Sequence, residues 1–326
     1  MTSLHSKLLG SLAVTAIAAA TGCHPTSHPM IPSTLGVSRA SSELEAVLDT
    51  PGPVAVESVV AADWEVPREG LINLDSPQAK AAGLKDGPEP IQVLFHAIRH
   101  PTRGLFIVDT GIERDLWAQP EKAAIRGDVA AFMNLGKMKI HVDTATWLAR
   151  QSQPLAGVFL THLHLDHVSG MRDVPNGTPI YAGPGEADES AVLNVLVQPV
   201  IDRALEGKTA IQELPFQADR DGRFAGVLDL FGDRTVWAVH VPGHTPGSTA
   251  YVVRTPKGPV LLTGDACHTA WGWQNGVEPG TFSADKPTSK ASLERLRAFV
   301  QRHPTLDVRL GHQSLPAPRR AQVAAK

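Results

Sequence analysis

One short segment of the chain carries three histidines and an aspartate within six residues. The run Thr161-His162-Leu163-His164-Leu165-Asp166-His167 directly follows an apolar stretch, residues 158–160, that we expect to be a buried strand. Imidazole and carboxylate groups suit a borderline metal ion such as zinc. The alternative is four side chains that are merely solvated or bonded to the backbone, and the cost of burying unpaired imidazoles makes it the weaker interpretation.

The spacing of these four residues favours two metal ions over one. In an extended or tightly turned segment, His162 and His164 are two residues apart and can point the same way, while Asp166 and His167 follow on the other side of the turn. One ion cannot easily take all four side chains. Two neighbouring ions could, if further ligands come from elsewhere in the chain.

Three further candidate ligands lie downstream in the chain. Pro242-Gly243-His244-Thr245-Pro246-Gly247 places His244 after a predicted strand. Asp265 follows the next predicted hairpin in Thr263-Gly264-Asp265-Ala266, and His312 lies within Gly311-His312-Gln313. Each is weak evidence alone, because strand-ending aspartates and turn histidines often have structural roles. Together, and in this order, they strongly indicate a metal centre.

The order of these motifs resembles the metallo-β-lactamase superfamily, whose members carry His-x-His-x-Asp-His, then His, Asp and His. All seven positions match, over a similarity that covers roughly Pro51 to Pro318. The resemblance implies an α/β fold, the four-layered αβ/βα sandwich, with the metals at one edge between the two sheets. It also implies a ligand set for each ion: His162, His164 and His244 for the first, Asp166, His167 and His312 for the second, and Asp265 bridging both.

Such a centre predicts a hydrolase. Two divalent ions, with zinc as the expected metal, would lower the pKa of a shared water enough to supply hydroxide and would polarise the carbonyl group under attack. Asp166 would act as a catalytic residue by orienting that hydroxide. Iron, manganese and cobalt accept similar ligand sets, so the native metal stays open.

Asp265 helps to choose among substrates. Class B β-lactamases generally have cysteine or serine at this position, so the aspartate argues against a dedicated β-lactamase. Gly264-Asp265-Ala266-Cys267-His268-Thr269 instead resembles the acyl-homoserine lactone lactonases and related ester hydrolases. We therefore expect metal-dependent hydrolysis of a lactone or ester, N-acyl-homoserine lactone among them. The alternatives are a β-lactamase-like enzyme, a thioester hydrolase and, in another class, a non-catalytic metal-binding surface lipoprotein.

His268 departs from that resemblance. Many of the lactonases carry a tyrosine three residues after the bridging aspartate, whereas this chain has a histidine. A histidine can donate a hydrogen bond to a carbonyl oxygen or protonate a leaving alkoxide, so we predict a catalytic role. The alternative is a histidine that only packs beside the ligands.

The elements that must position these residues alternate between strands and helices. Short β-branched runs predict strands, and apolar residues at helical spacing predict helices. Pro199 is expected to kink or divide one of the helices. Asp109, at the end of one predicted strand, is interpreted as a structural residue or a contact of a ligand. The predicted strands are 54–60, 91–98, 105–108, 158–160, 235–241, 250–254 and 260–263, and the predicted helices are 143–151, 186–206 and 291–302.

The composition is that of a globular protein. The 326 residues are 42% hydrophobic and 19% charged, with a net charge of -3. The 30 Lys and Arg residues are spread along the chain against 33 acids, which disfavours a nucleic-acid partner. The expected partner is a small-molecule lactone or ester, and the oligomeric state stays open.

The first residues predict export. Lys7 precedes a 13-residue apolar run from Leu8 to Ala20, too short to span a bilayer, and Cys23 follows where cleavage of a lipoprotein signal is expected. We interpret residues 1–22 as a signal peptide, 23–50 as a flexible tether and 51–318 as the hydrolase domain. Cys23 would carry a lipid anchor at a membrane facing the periplasm or cell exterior, unless the signal is an ordinary secretory one.

Overall fold

Fourteen strands and ten α-helices lie within residues 24–188 and 194–315, the part of the chain that the computed structural model describes. The strands are β1 Met30–Pro32, β2 Val37–Ser38, β3 Ala55–Pro67, β4 Pro88–His100, β5 Gly104–Val108, β6 Lys139–Ile140, β7 Leu155–Phe159, β8 Ile180–Ala182, β9 Ile211–Glu213, β10 Gly226–Asp229, β11 Val236–His240, β12 Thr249–Thr255, β13 Gly258–Leu262 and β14 Asp307–Arg309. The helices are α1 Ser41–Glu45, α2 Arg68–Leu71, α3 Pro77–Ala81, α4 Asp115–Ala118, α5 Gly127–Phe132, α6 Thr144–Leu148, α7 Leu165–Val168, α8 Asn194–Ala204, α9 Ala270–Asn275 and α10 Lys286–Arg302.

The strands form two sheets. The first has eight strands in the order β1-β9-β8-β7-β5-β4-β3-β6, and the second has six in the order β14-β13-β12-β11-β10-β2. In the first sheet, β5 and β7 run parallel. In the second, β13 is parallel to β14, and the antiparallel pairs through β12 leave β11 running the same way. Each sheet therefore brings the carboxyl ends of several strands to one edge.

Successive side chains of strand β11 point to opposite faces of the second sheet, and both faces are apolar. Val236 and Ala238 pack into a cluster with Phe106 and Phe159 of the first sheet. Trp237 and Val239 point the opposite way, into a cluster with residues of α1 and α10. This is the two-residue period of a strand that is buried on both sides. The order of layers is therefore helices, sheet, sheet, helices, and the predicted four-layered αβ/βα sandwich is confirmed.

Helix α10 begins five residues before its predicted start at 291. The Asp285 side chain accepts a hydrogen bond from the Thr288 backbone N–H at 3.0 Å, and Pro287 lies in the first turn, where its missing N–H costs nothing. Leu293, Leu296 and Phe299 are buried. The apolar spacing predicted only the part of the helix that packs on the sheet, and the capped first turns lie before it.

The flexible tether predicted over residues 23–50 is wrong for much of that segment. Strand β1 pairs in parallel with β9, and β2 pairs with β10. Leu44 and Leu48 are fully buried against the outer face of the second sheet. The high Pro, Ser and Thr content predicted a solvated segment, but the edges of both sheets supply backbone hydrogen bonds that composition does not reveal. The signal peptide predicted for residues 1–22, and Cys23, lie outside the described residues.

No helix within the described ranges is both long and apolar enough to cross a membrane.

Candidate metal centre

The seven predicted ligands all follow strand ends at one edge of the sandwich. His162 and His164 lie in the loop after β7, while Asp166 and His167 lie in helix α7. His244 follows β11, Asp265 lies in a 3-10 turn after β13, and His312 follows β14. The first sheet thus supplies four of the residues and the second sheet three.

These side chains form two groups with ligand-forming geometry. In the first, the ligand atoms of His162, His164, His244 and Asp265 all lie within 4.8 Å of one another, and the same holds for Asp166, His167 and His312 in the second. The histidines of the first group and all members of the second are those of the two predicted ligand sets, while Asp265, predicted to bridge both ions, groups with the first set and with His312. His268 also joins the cluster, in a third group with Asp265 and His312.

One carboxylate oxygen lies at the middle of the cluster. Asp265 Oδ2 has five histidine Nε2 atoms around it: His268 at 3.0 Å, His167 and His312 at 3.3 Å, His244 at 3.4 Å and His162 at 3.6 Å. The set includes histidines from both groups. Asp265 is therefore placed where a carboxylate could bridge two ions.

Three buried atoms of the cluster indicate what would fill it. His162 Nε2, His167 Nε2 and Asp265 Oδ1 have no hydrogen-bond partner among the described residues. Buried polar atoms in folded proteins are nearly always paired, so three unpaired ones at one centre need an explanation. Nitrogen and oxygen donors in this combination are those that zinc accepts. The residues present fit a pair of divalent ions.

Asp109 contacts the ring of His167 on the side that faces away from the metal centre. Its Oδ2 lies 2.8 Å from His167 Nδ1, and its carboxylate also accepts hydrogen bonds from the backbone N–H and hydroxyl of Thr161. Because β5 and β7 are parallel, Asp109 and Thr161 emerge at the same edge. Asp109 has a positive φ of 59°, a conformation that aspartate tolerates better than most residues. The geometry matches the interpretation of Asp109 as a contact of a ligand.

Backbone carbonyls orient two other histidines. His312 Nδ1 lies 2.9 Å from the Gln92 carbonyl oxygen, and His268 Nδ1 lies 3.2 Å from that of Leu71. Since a carbonyl only accepts, each Nδ1 carries the proton and each Nε2 faces the centre. Such outer contacts fix the tautomer and the direction of a metal-binding imidazole.

Burial and mutual charge set the protonation of the first group. Burial lowers the pKa of His164 to about 4 and, together with the neighbouring histidines, holds the pKa values of His162 and His244 well below the usual range. Burial alone would raise the pKa of Asp265, but His268, His312 and His167 outweigh it and keep that pKa well below its usual value. Neutral imidazoles and an ionised carboxylate are the forms that bind metal ions.

In the second group, the pKa values of the histidines are raised instead of lowered. Burial lowers the pKa of His312, but Asp265 and Asp166 outweigh it and raise that pKa to about 10. His167 has its pKa raised well above the usual range because Asp265, Asp109 and Asp166 together outweigh burial. Without metal, these rings therefore hold protons between the carboxylates, and a bound cation would have to displace them.

Glycine permits the close approach of the last ligand to Asp265. A Cβ atom on Gly311 would lie 2.1 Å from Asp265 Oδ1, well inside van der Waals contact. Gly264 has a φ of 50°, and a Cβ atom on it would lie only 2.8 Å from Thr161 Cβ. Side chains at these two positions would push His312 and Asp265 away from the loop after β7.

Sequence reasoning missed one residue of the site, Glu186. It was predicted to begin a helix over 186–206, but α8 is Asn194–Ala204, with Pro199 inside it, and Glu186 lies in a turn before it. Its buried carboxylate accepts hydrogen bonds from the Leu163 backbone N–H at 2.9 Å and from the Thr245 hydroxyl. The Gly183-Pro184-Gly185 turn was the only local signal that Glu186 lies outside a helix.

The chain is similar in sequence and in fold to several known proteins. A family model described as the metallo-beta-lactamase superfamily matches residues 89–303. N-acyl homoserine lactonase AttM of Agrobacterium fabrum is 27% identical over 219 residues, covering 65% of this chain and 79% of that protein. Gamma-lactamase MBL2 of Gibberella moniliformis is 29% identical over 175 residues, 50% of this chain and 70% of its own length. The crystal structure of a quorum-quenching N-acyl homoserine lactone lactonase shares the fold with a TM-score of 0.56 at 19% identity, covering 81% of this chain and 94% of that one.

Proposed function

Because this chain belongs to the metallo-β-lactamase superfamily, we propose that it is a dinuclear metal-dependent hydrolase that opens lactones or esters. The observation that carries the proposal is the position of Asp265 Oδ2 between two complete groups of ligand-type side chains. A ligand set that had lost members would instead have favoured the non-catalytic alternative. All seven predicted side chains are present and converge.

Each of the two groups of side chains would bind one metal ion. His162, His164 and His244 would hold one ion, Asp166, His167 and His312 the other, and Asp265 would bridge them. Bound divalent ions supply an acidified water and a Lewis acid for the substrate carbonyl. Zinc is the ion that we expect in both positions.

Asp166 is suited to orient the attacking water. Its side chain is 21% exposed, whereas those of His167, Asp265 and His312 are no more than 4% exposed. His167 and His312 hold the pKa of Asp166 below its usual value against the opposing effect of burial, so the carboxylate is ionised and can accept a hydrogen bond. Substrate would therefore approach on the side of Asp166 and the partly exposed His164.

The names of the relatives support a cyclic acyl substrate. Several curated relatives are N-acyl homoserine lactonases, and their similarity to this chain favours a lactone. The relatives named as gamma-lactamases make a lactam the second candidate. A lactone has the better leaving group, since an alkoxide departs more easily than the amide anion that an unprotonated lactam nitrogen would form, and it is our first choice.

A substrate panel tests the proposal. We expect the zinc-loaded protein to hydrolyse N-acyl homoserine lactones with a kcat/KM at least about 100-fold above those for γ-lactams, β-lactams, aryl esters and thioesters. His162→Ala and Asp265→Ala should abolish turnover of the best substrate. His100→Ala removes an equally buried histidine at the far end of β4 and should retain activity.

Two results would count against the assignment. Full turnover by the Asp265→Ala protein would exclude the dinuclear mechanism. Inactivity on every substrate despite two bound ions per chain would favour the non-catalytic metal-binding lipoprotein.

Export and lipid anchoring are proposed from the sequence alone. Lys7, the apolar run from Leu8 to Ala20 and Cys23 support a lipoprotein signal, which would place the enzyme at a membrane facing the periplasm or cell exterior. Mass spectrometry of the mature protein should detect an acylated N-terminal Cys23. An unmodified N-terminus elsewhere in this region would indicate an ordinary secretory signal.

A further inference from the structure

His268 lies inside the cluster of ligands, although the two predicted ligand sets do not include it. Its side chain is 1% exposed, and its Nε2 is the histidine nitrogen nearest to Asp265 Oδ2, at 3.0 Å. The ligand atoms of Asp265, His268 and His312 all lie within 4.8 Å of one another. By its distance to Asp265, His268 is placed as well as any of the predicted ligands.

The orientation of the His268 ring is also that of a ligand. Because the Leu71 carbonyl oxygen only accepts, the proton of the neutral ring is on Nδ1, and the lone pair of Nε2 faces Asp265. Two acceptors 3.0 Å apart repel each other unless a cation or a second ring proton lies between them. His312 has the same arrangement, with Nδ1 on the Gln92 carbonyl and Nε2 toward Asp265.

Packing fixes this orientation. The His268 ring is stacked on that of His312, with centroids 5.5 Å apart and an interplanar angle of 14°, and it meets the His244 ring edge-on at 4.9 Å. Two stacked rings that present the same nitrogen to the same carboxylate oxygen can serve one ion together. The His268 side chain is 1% exposed, whereas an acid that protonates a leaving group must reach substrate, which would approach near Asp166, 21% exposed.

We infer that His268 is an eighth ligand of the metal centre, binding through Nε2 to the ion held by Asp166, His167, Asp265 and His312. This inference rests on the proposed dinuclear metal site and deepens it. It replaces the expectation that His268 protonates the leaving group. It also makes the second metal position richer in imidazole than the seven-residue motif alone implies.

Cobalt titration tests the inference without a substrate. Cobalt would be added to the chelator-treated wild type, His268→Phe, His268→Gln and a control variant, His100→Phe, while visible absorption is recorded and affinity is measured against a competing chelator. We expect wild type and His100→Phe to bind two ions per chain with the same spectrum. His268→Phe should bind one of the two at least about 10-fold more weakly, with an altered spectrum, because a direct ligand is lost. His268→Gln should lie between them, because its amide oxygen can bind a metal weakly.

The outcomes separate the two proposals. If His268→Phe binds both ions with wild-type affinity and spectrum, His268 is not a ligand. Retained cobalt binding with lost lactone turnover would instead assign it a catalytic role and overturn the inference. If the wild type binds no cobalt, the proposed function itself fails. Far-ultraviolet circular dichroism identifies a misfolded His268→Phe protein, and His268→Gln then decides by the same measurements.

Discussion

Glu186 is a buried carboxylate that aligns two ligand-bearing loops. Its Oε2 accepts a hydrogen bond from the N–H of Leu163, which lies between His162 and His164. Its Oε1 accepts one from the hydroxyl of Thr245, the neighbour of His244. All three histidines of the first metal position are therefore within one residue of a group that Glu186 holds.

The substitution Glu186→Gln tests this alignment. Glutamine has the same size but only one accepting oxygen, so one of the two loops loses its bond to residue 186. The Thr245 hydroxyl has a second partner, Ser248 Oγ at 2.7 Å, whereas the Leu163 N–H depends on Glu186. We expect the free energy of unfolding to fall by about 1–3 kcal/mol. We also expect the affinity for one zinc ion to fall about 10-fold or more, since groups that orient ligands have effects of this size. Competition with a chromophoric chelator and denaturant unfolding measure the two effects.

Glu206→Gln provides the matched control, because Glu206 is exposed and lies beyond the end of α8. It should leave both zinc affinities and stability unchanged. Wild-type zinc binding in Glu186→Gln would show that the loops keep their positions without this carboxylate.

At the scale of elements, the sequence predicted best where burial is complete. Strands β5, β11, β12 and β13 are almost wholly buried, and each lies close to its predicted bounds because its apolar run has no solvent-facing interruption. Strand β3 extends to Pro67, well past the predicted end at residue 60. Its second half mixes Asp63 and Glu65 with apolar residues and is fixed by pairing with β4, a contact that local sequence does not encode.

Short elements around the site could not be predicted from periodicity. Helix α7 has only four residues, too few for a helical pattern, and the sequence predicted an extended or tightly turned segment there. Asp166 lies in its first turn, where a negative charge favours helix formation. The candidate ligands, by contrast, were predictable, because four of them share one motif and the other three each directly follow a glycine. Glu186 and the carbonyl groups of Leu71 and Gln92 were not, because hydrogen bonds between distant segments have no signature in the sequence.

At the scale of the whole molecule, the metal centre joins the two sheets. The apolar core between them contains Phe106 and Phe159 from the first sheet and Tyr251 from the second, and Tyr251 Oη donates a hydrogen bond to the Leu160 carbonyl at 2.8 Å. The candidate ligands lie in the residues that follow strand ends in both sheets, and those from the two sheets meet there. Bound ions would therefore link the two sheets at the edge of their shared core, so metal binding and folding are coupled.

Metal removal should consequently lower the melting temperature of the entire fold. Ligand that binds only the folded state at 100 times its Kd adds about 2.7 kcal/mol per site, and two tight sites should raise Tm by about 5 °C or more. Thermal scans in free zinc and in excess chelator measure this difference. Asp265→Asn, which weakens the bridge but keeps its size, should show a much smaller zinc-dependent shift. An equal shift in both proteins would mean that zinc stabilises the fold at exposed histidines such as His141 and not between the sheets.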